Sequence, residues 1–66
     1  MQNKVKEYRT ALQITQQDLA DAISVSRQTI FAIETGKYIP STILALKIGI
    51  VLKMPVESVF MLELGD

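Results

Sequence analysis

The sequence predicts an all-α domain of five short helices. Three observations carry that expectation. Apolar residues recur at helical spacing through most of the chain. Ser or Thr stands ahead of several of these runs, where a hydroxyl can cap a helix. Gly36, Pro40 and Pro55 fall between the runs, as punctuation does. The chain has 66 residues, which fits one domain over residues 1–66. Such a chain buries only about 60% of the surface its unfolded form exposes, so its margin of stability is thin.

Val5, Tyr8 and Leu12 place the first helix over Lys4–Leu12. Thr15 then fits an N-cap, with Asp18 three residues on as a short substitute for the Glu of a capping box. It opens a second helix over Gln16–Ala22. Ser26 caps a third helix over Arg27–Thr35, and Gly36 ends it as a C′ residue. Tyr38, Ile39 and Pro40 form an extended connection, because a residue before Pro avoids the α region.

Ser41 or Thr42 opens a fourth helix that continues to Lys53. Ile43, Leu44, Leu46, Ile48, Ile50, Val51 and Leu52 cover more than one of its faces, so it is expected to be the central helix. Gly49 inside it costs about 1 kcal/mol relative to Ala, and a close helix crossing is the expected reason. Pro55 suits the start of a fifth helix over Val56–Phe60. The apolar stretch Met61–Leu64 fits either a terminal strand or a tail, and its pattern does not decide.

Composition narrows the function. There is no Cys and no His, which removes disulfides, thiolate sites, the commonest transition-metal ligand and the commonest general base. The carboxylates are scattered, and no Ser has a His to activate it. No catalytic residue, metal site or cofactor is expected. No run approaches the roughly 20 apolar residues that span a membrane. Met1–Lys4 has no apolar segment behind it of the kind a secretion signal carries, so cytoplasm is the expected compartment. The net charge is zero and the pI is 6.2, so non-specific attraction to nucleic acid is expected to be modest. The charge is uneven, however. Residues 1–37 set Lys4, Lys6, Arg9, Arg27 and Lys37 against Glu7, Asp18, Asp21 and Glu34, and the acidic excess falls in the tail.

The stretch Gln16–Thr35 is the informative one. Two helices that cross across a turn of three or four residues need a small residue at the contact and apolar residues on both inner faces. Ala20 is the small residue, and Leu19, Ile23, Val25, Ile30 and Ile33 supply the faces. Ser24 stands where the turn favours Gly, so a left-handed conformation there would cost about 1 kcal/mol. Left outside are Gln16, Gln17, Ser26, Arg27, Gln28, Thr29, Phe31 and Ala32. Arg can bond bidentately to guanine O6 and N7, and Gln to adenine N6 and N7. Arg27 and Gln28 sit at the N-terminal end of the second helix of the pair, the end that meets base edges in this arrangement. Gln16, Gln17, Ser26 and Thr29 surround the starts of the two helices, where polar groups can reach phosphates. Glu34 is expected to pair internally with Arg9, because its charge would repel phosphate. Two readings stand for Phe31, a contact to a thymine methyl or partial burial.

These segments carry a resemblance. Thr15-Gln16-Gln17-Asp18-Leu19-Ala20, Val25-Ser26-Arg27-Gln28-Thr29-Ile30 and Ile33-Glu34-Thr35-Gly36-Lys37-Tyr38 resemble the lambdoid-phage repressor and Cro class, the Xre-type helix-turn-helix family. Ala45-Leu46-Lys47-Ile48 and Pro55-Val56-Glu57-Ser58-Val59-Phe60 are similar to the short stand-alone members of the cytolysin-operon repressor kind. The resemblance implies a lambda-repressor-like five-helix fold, and some short members pair their chain ends as a small two-stranded β-ribbon. It implies that Gln16 meets a phosphate, that Arg27, Gln28 and Ala32 face bases, and that Lys37 and Tyr38 lie along the DNA backbone. Ala32 is too short to hydrogen-bond a base, which limits that position to van der Waals contact.

The expected function is therefore a sequence-specific transcriptional regulator, a repressor that binds double-stranded DNA as a homodimer on a pseudo-palindromic operator. Val56, Val59, Phe60, Met61, Leu62 and Leu64 hold more apolar surface than a short fifth helix can bury, and are the expected dimer interface. The alternative is a helix-turn-helix used for protein contact, as in an antitoxin. A chain this short has little room for an effector domain, so a regulatory signal would come from a protein partner or from dimerisation.

Overall fold

In a computed structural model covering residues 1–66, the chain folds as β1 (Gln2–Asn3), α1 (Val5–Ala11), α2 (Gln16–Ala22), α3 (Arg27–Glu34), α4 (Thr42–Leu52), α5 (Val56–Val59) and β2 (Phe60–Met61). The helix starts are set by local chemistry. Thr15 Oγ1 accepts the Asp18 amide at 3.0 Å, and Asp18 Oδ2 accepts the Thr15 amide at 2.9 Å, which completes the capping box of α2. The Thr15 amide, and then its hydroxyl, hold the Asp18 carboxyl below the usual carboxylate value. Ser26 Oγ accepts the Thr29 amide at the start of α3, and Ser41 Oγ accepts the Leu44 amide at the start of α4.

The turns are set by backbone handedness. Ser24 adopts φ +60° between α2 and α3, the left-handed conformation the tight turn demands. Gly36 adopts φ +78° just past α3. Gln13 and Lys53 also lie at φ +59°, and the second of these ends α4.

Val5, Leu19, Ala20, Ile23, Ile30, Ile33, Ile48, Leu52 and Val59 form one buried cluster, drawn from all five helices and the turn after α2. Ala20 has no exposed surface and lies where α2 packs on α3. The crossing is thus built from the small residue the sequence offers for it.

Two expectations are revised here. The fourth helix is not buried all round. It packs on α1, α2 and α5 and buries Ile48, Gly49 and Leu52, while Ile43, Leu46 and Ile50 are 69%, 49% and 76% exposed. One stripe suffices for the core, and the remaining apolar residues form a surface. Gly49 makes its close approach to the loop before α5 and to the first residue of that helix. A Cβ at that position would stand 3.0 Å from the Met54 carbonyl oxygen and 3.6 Å from the Val56 nitrogen.

The chain ends pair antiparallel, Gln2 opposite Met61 and Asn3 opposite Phe60. This places Phe60 in a strand and shortens the fifth helix by one residue. The Lys4 amide extends the contact by donating to the Val59 carbonyl at 2.8 Å. Asn3 ties the ribbon to the helices. Its Oδ1 accepts the Val5 amide, and its Nδ2 donates to the Ile33 carbonyl at 2.9 Å near the end of α3.

The burial of Ala20 has a direct consequence. Ala20→Leu would overpack the α2–α3 contact and destabilise the domain by about 1–3 kcal/mol. For a chain of this size each kcal/mol lowers the thermal midpoint by about 4–8 °C. A thermal melt followed by circular dichroism checks this, and an unchanged midpoint would place the crossing elsewhere.

Candidate nucleic-acid interface

The packing of α2 on α3 turns Leu19, Ile23, Ile30 and Ile33 inward and leaves a continuous polar edge outside. Gln17, Ser26, Arg27, Gln28, Phe31, Lys37 and Tyr38 are exposed, and Gln16, Thr29 and Ala32 are half-buried. All ten residues singled out for DNA contact therefore keep some accessible surface. Phe31 is 48% exposed, so its ring is only partly covered.

Several of these side chains already have partners. Ser26 Oγ and Thr29 Oγ1 lie 3.0 Å apart, so both hydroxyls are engaged at the start of α3. Gln17 Nε2 donates to Asp21 Oδ1 at 2.8 Å along α2. The Lys37 and Tyr38 amides both donate to the Ala32 carbonyl, which holds this segment against the last turn of α3. Phe31, Ala32, Lys37 and Tyr38 are thereby kept in one fixed neighbourhood.

Beneath this edge lies an ion pair. Arg9 Nε donates to Glu34 Oε2 at 2.7 Å and Arg9 Nη2 to Glu34 Oε1 at 3.1 Å, with side-chain exposures of 9% and 3%. Arg9 Nη1 also holds the Ile14 carbonyl at 3.0 Å. The inward Glu34 and its Arg9 partner match the sequence expectation. Two further bonds do not appear in it. Gln16 Nε2 donates to Glu34 Oε1 at 3.0 Å, and Arg27 Nη1 donates to Gln16 Oε1 at 3.3 Å. No local spacing signals either bond, since they join residues 18 and 11 positions apart.

Gln16 and Arg27 also line an open cleft of about 560 Å³, together with Arg9, Thr10, Gln13, Ile14, Thr15 and Gln17. Its lining includes Arg27, three Gln and no Asp or Glu, while the guanidinium of Arg9 is spent on Glu34 and the Ile14 carbonyl. That lining suits an anion with several acceptor oxygens, such as a backbone phosphate.

The residues expected at a dimer interface divide. Val59 is fully buried in the core of the chain and has no surface to offer a partner. Val56, Phe60 and Met61 are half-buried. Leu62 and Leu64 are exposed, at 81% and 108%. A second apolar surface lies on α4, at Ile43, Leu46 and Ile50. No helix is long and apolar enough to cross a membrane.

The buried pair predicts a large asymmetry among the basic residues. Arg9→Met would leave Glu34 buried and unpaired and destabilise the domain by about 3–5 kcal/mol. Lys37→Ala, at an exposed position, would change stability by less than about 0.5 kcal/mol. Urea unfolding of both variants measures the contrast, and equal effects would remove the pair from its central place.

Comparison with known proteins gives a consistent picture. A helix-turn-helix family model matches residues 5–59. An uncharacterized HTH-type transcriptional regulator of Methanocaldococcus jannaschii is 51% identical over 63 residues, covering 96% of each chain. The uncharacterized HTH-type transcriptional regulator YgzD of Bacillus subtilis is 49% identical over 63 residues, again covering 96% of each. Among solved structures, the restriction-modification controller protein C.AhdI from Aeromonas hydrophila superposes with a TM-score of 0.78 at 27% identity, covering 85% of each chain. With the helix pair, its capped starts and its left-handed turn in place, the chain belongs to the Xre-type helix-turn-helix family of transcriptional regulators.

Proposed function

We propose that this regulator is a sequence-specific repressor that binds double-stranded DNA in the cytoplasm, as a homodimer on a pseudo-palindromic operator. The observation that carries the reading is the outer face of α3. Arg27 and Gln28 stand exposed at its first turn, and Arg27 borders a cleft whose lining holds no Asp or Glu. In this reading Arg27 and Gln28 read base edges, Phe31 meets a thymine methyl, and Ala32 makes van der Waals contact only. Gln16, Gln17, Ser26, Thr29, Lys37 and Tyr38 hold the DNA backbone. No step of this function is catalytic, and none needs a cofactor.

The dimer would form through apolar surface that one protomer cannot cover. Ile43, Leu46 and Ile50 recur at spacings of three and four on α4, the spacing by which two helices interlock. Ile39 is 60% exposed just ahead of α4. Exposed apolar patches of about 300–600 Å² commonly mark interaction sites. Leu62 and Leu64 supply the exposed part of the C-terminal set.

The same apolar surface favours a second reading, a module that contacts another protein as an antitoxin does. Its discriminating result would be a gel shift, on DNA upstream of the chain's own gene, that excess non-specific DNA abolishes.

Readers and anchors should separate in binding. The probe is a duplex that the wild-type protein enriches from a randomised library, compared with a scrambled duplex. Arg27→Ala or Gln28→Ala should each cost about 1–3 kcal/mol of discrimination between the two. Lys37→Ala should weaken both equally and lower the salt slope by about one unit per subunit. Fluorescence anisotropy at several salt concentrations reads both effects, and equal losses for Arg27→Ala and Gln28→Ala would shift the readout to DNA shape. Sedimentation equilibrium at micromolar concentration should give a dimer mass for the wild type and a monomer mass for Ile43→Glu with Ile50→Glu. A wild-type monomer with full DNA affinity would overturn the dimer.

A further inference from the structure

We propose that Asn3 is a positioning residue that couples the pairing of the chain ends to the seat of α3, so that the helix meets DNA in its working position only while the ends are paired. The inference rests on the reading of α3 and the Lys37–Tyr38 segment as the DNA-facing edge, and adds what holds that edge in place. The last turn of a helix leaves its carbonyls without intrahelical partners. The Ile33 carbonyl accepts the Gly36 amide at 3.0 Å and Asn3 Nδ2 at 2.9 Å, which fills both of its lone pairs. Gly36 turns at φ +78° and leads into Lys37 and Tyr38, whose amides donate to the Ala32 carbonyl. The turn that sets those two residues thus starts from the carbonyl that Asn3 holds. Arg9 grips the Glu34 side chain one residue on, and Asn3 grips the backbone itself.

Asn3 can do this only from within the ribbon. Its own backbone stands opposite Phe60, and the neighbouring Lys4 amide donates to the Val59 carbonyl at 2.8 Å. Its Oδ1 accepts the Val5 amide at 3.2 Å, so one carboxamide spans from the start of α1 to the end of α3. Turning that amide over would set oxygen against the Ile33 carbonyl and N–H against the Val5 N–H, so its orientation is fixed. No other hydrogen bond joins the ribbon to α3. Two strands of two residues are too short to stand alone, and chain ends fray readily. Pairing and seat therefore support each other. Unpaired ends withdraw the donor from Ile33, and a displaced Ile33 carbonyl releases Asn3. By linkage, DNA that favours the seated helix must favour the paired ends by the same factor.

Asn3→Asp and Asn3→Ser test this, because each keeps an acceptor for the Val5 amide. The first sets a carboxylate against the Ile33 carbonyl, and the second is one atom too short to reach it. Gln2→Ala, in the same strand and at an exposed position, is the control. The probe is the library-selected duplex, with the fold of each variant checked by circular dichroism. Both Asn3 variants should raise its dissociation constant by about three- to tenfold, as loss of one hydrogen bond would, and Gln2→Ala by less than about twofold. Hydrogen exchange then separates coupling from stability. Saturating duplex should slow exchange of the Lys4 amide by the same factor in the wild type, and by less than about twofold in Asn3→Asp. Unchanged binding by the folded Asn3 variants would overturn the proposal. Equal slowing in the wild type and Asn3→Asp would overturn it too, since DNA would then steady the whole domain. Loss of the fold in both variants would make Asn3 structural only and also overturn it. If Arg27→Ala, Gln28→Ala and Lys37→Ala all leave binding intact, the reading of α3 falls and this inference with it. If those three weaken binding while the Asn3 variants do not, this inference alone falls.

Discussion

The arrangement depends on the ion pair between Arg9 and Glu34. Each side chain is almost entirely out of water. Desolvating two charges offsets much of their attraction, so such a pair adds little net stability compared with apolar residues of the same size. Its consequence is positional. A carboxylate at the C-terminal end of α3 is poorly placed against the helix dipole and needs a cation close by. Arg9 supplies it from α1, and also holds the Ile14 carbonyl ahead of α2. One side chain thus fixes the end of α3 against α1 and the loop that leads into α2. An apolar substitute would fill the space without specifying that geometry.

The pair also bears on how a chain of zero net charge keeps free positive charge beside α3. The acidic residues of the first half are largely committed. Glu34 is neutralised by Arg9, Asp18 is tied into the cap of α2, and Asp21 accepts from Gln17. The ion pairs of the structure are those of Arg9 with Glu34 and of the Met1 amine with Glu63 and Asp66. Arg27 and Lys37 are exposed and carry positive charge without an ionic partner. Local distribution, screened over about 8–10 Å at physiological salt, matters more there than the sum.

What was legible in the sequence was mostly local. Thr15, Ser26 and Ser41 announce helix starts because a capping bond spans three residues. Gly36 announces a helix end, and Ser24 a strained turn, for equally local reasons. Ala20 was legible because a close crossing admits few side chains. The resemblance, and no pattern in the residues, supplied the β-ribbon, since its strands pair residues at opposite ends of the chain. The facing of α4 was not legible, because a helix apolar on several sides gives no direction to its burial. For the same reason Val59 looked available when it is core, and Ile43, Leu46 and Ile50 looked like core when they are exposed. At the candidate site the residue types were readable and their connections were not. Gln16 reads as a polar residue at the start of α2, and its amide stands between Glu34 and Arg27.

The exposed stripe on α4 and the small reading face on α3 bear on each other. One protomer offers two side chains able to make bidentate base contacts, Arg27 and Gln28, each good for about 1–3 kcal/mol of discrimination. A genome presents about 10⁶–10⁹ competing sites, so two such contacts leave specificity short. Repeating the face by two-fold symmetry would double the discrimination with no new side chain, and would set two recognition helices about 34 Å apart to match two half-sites. Symmetry of that kind would need a self-complementary surface, and the apolar stripe of α4 is one part of the chain that its own core leaves uncovered. The same burial would add to a stability margin that 66 residues keep thin, so folding, dimerisation and operator choice would be linked through one helix.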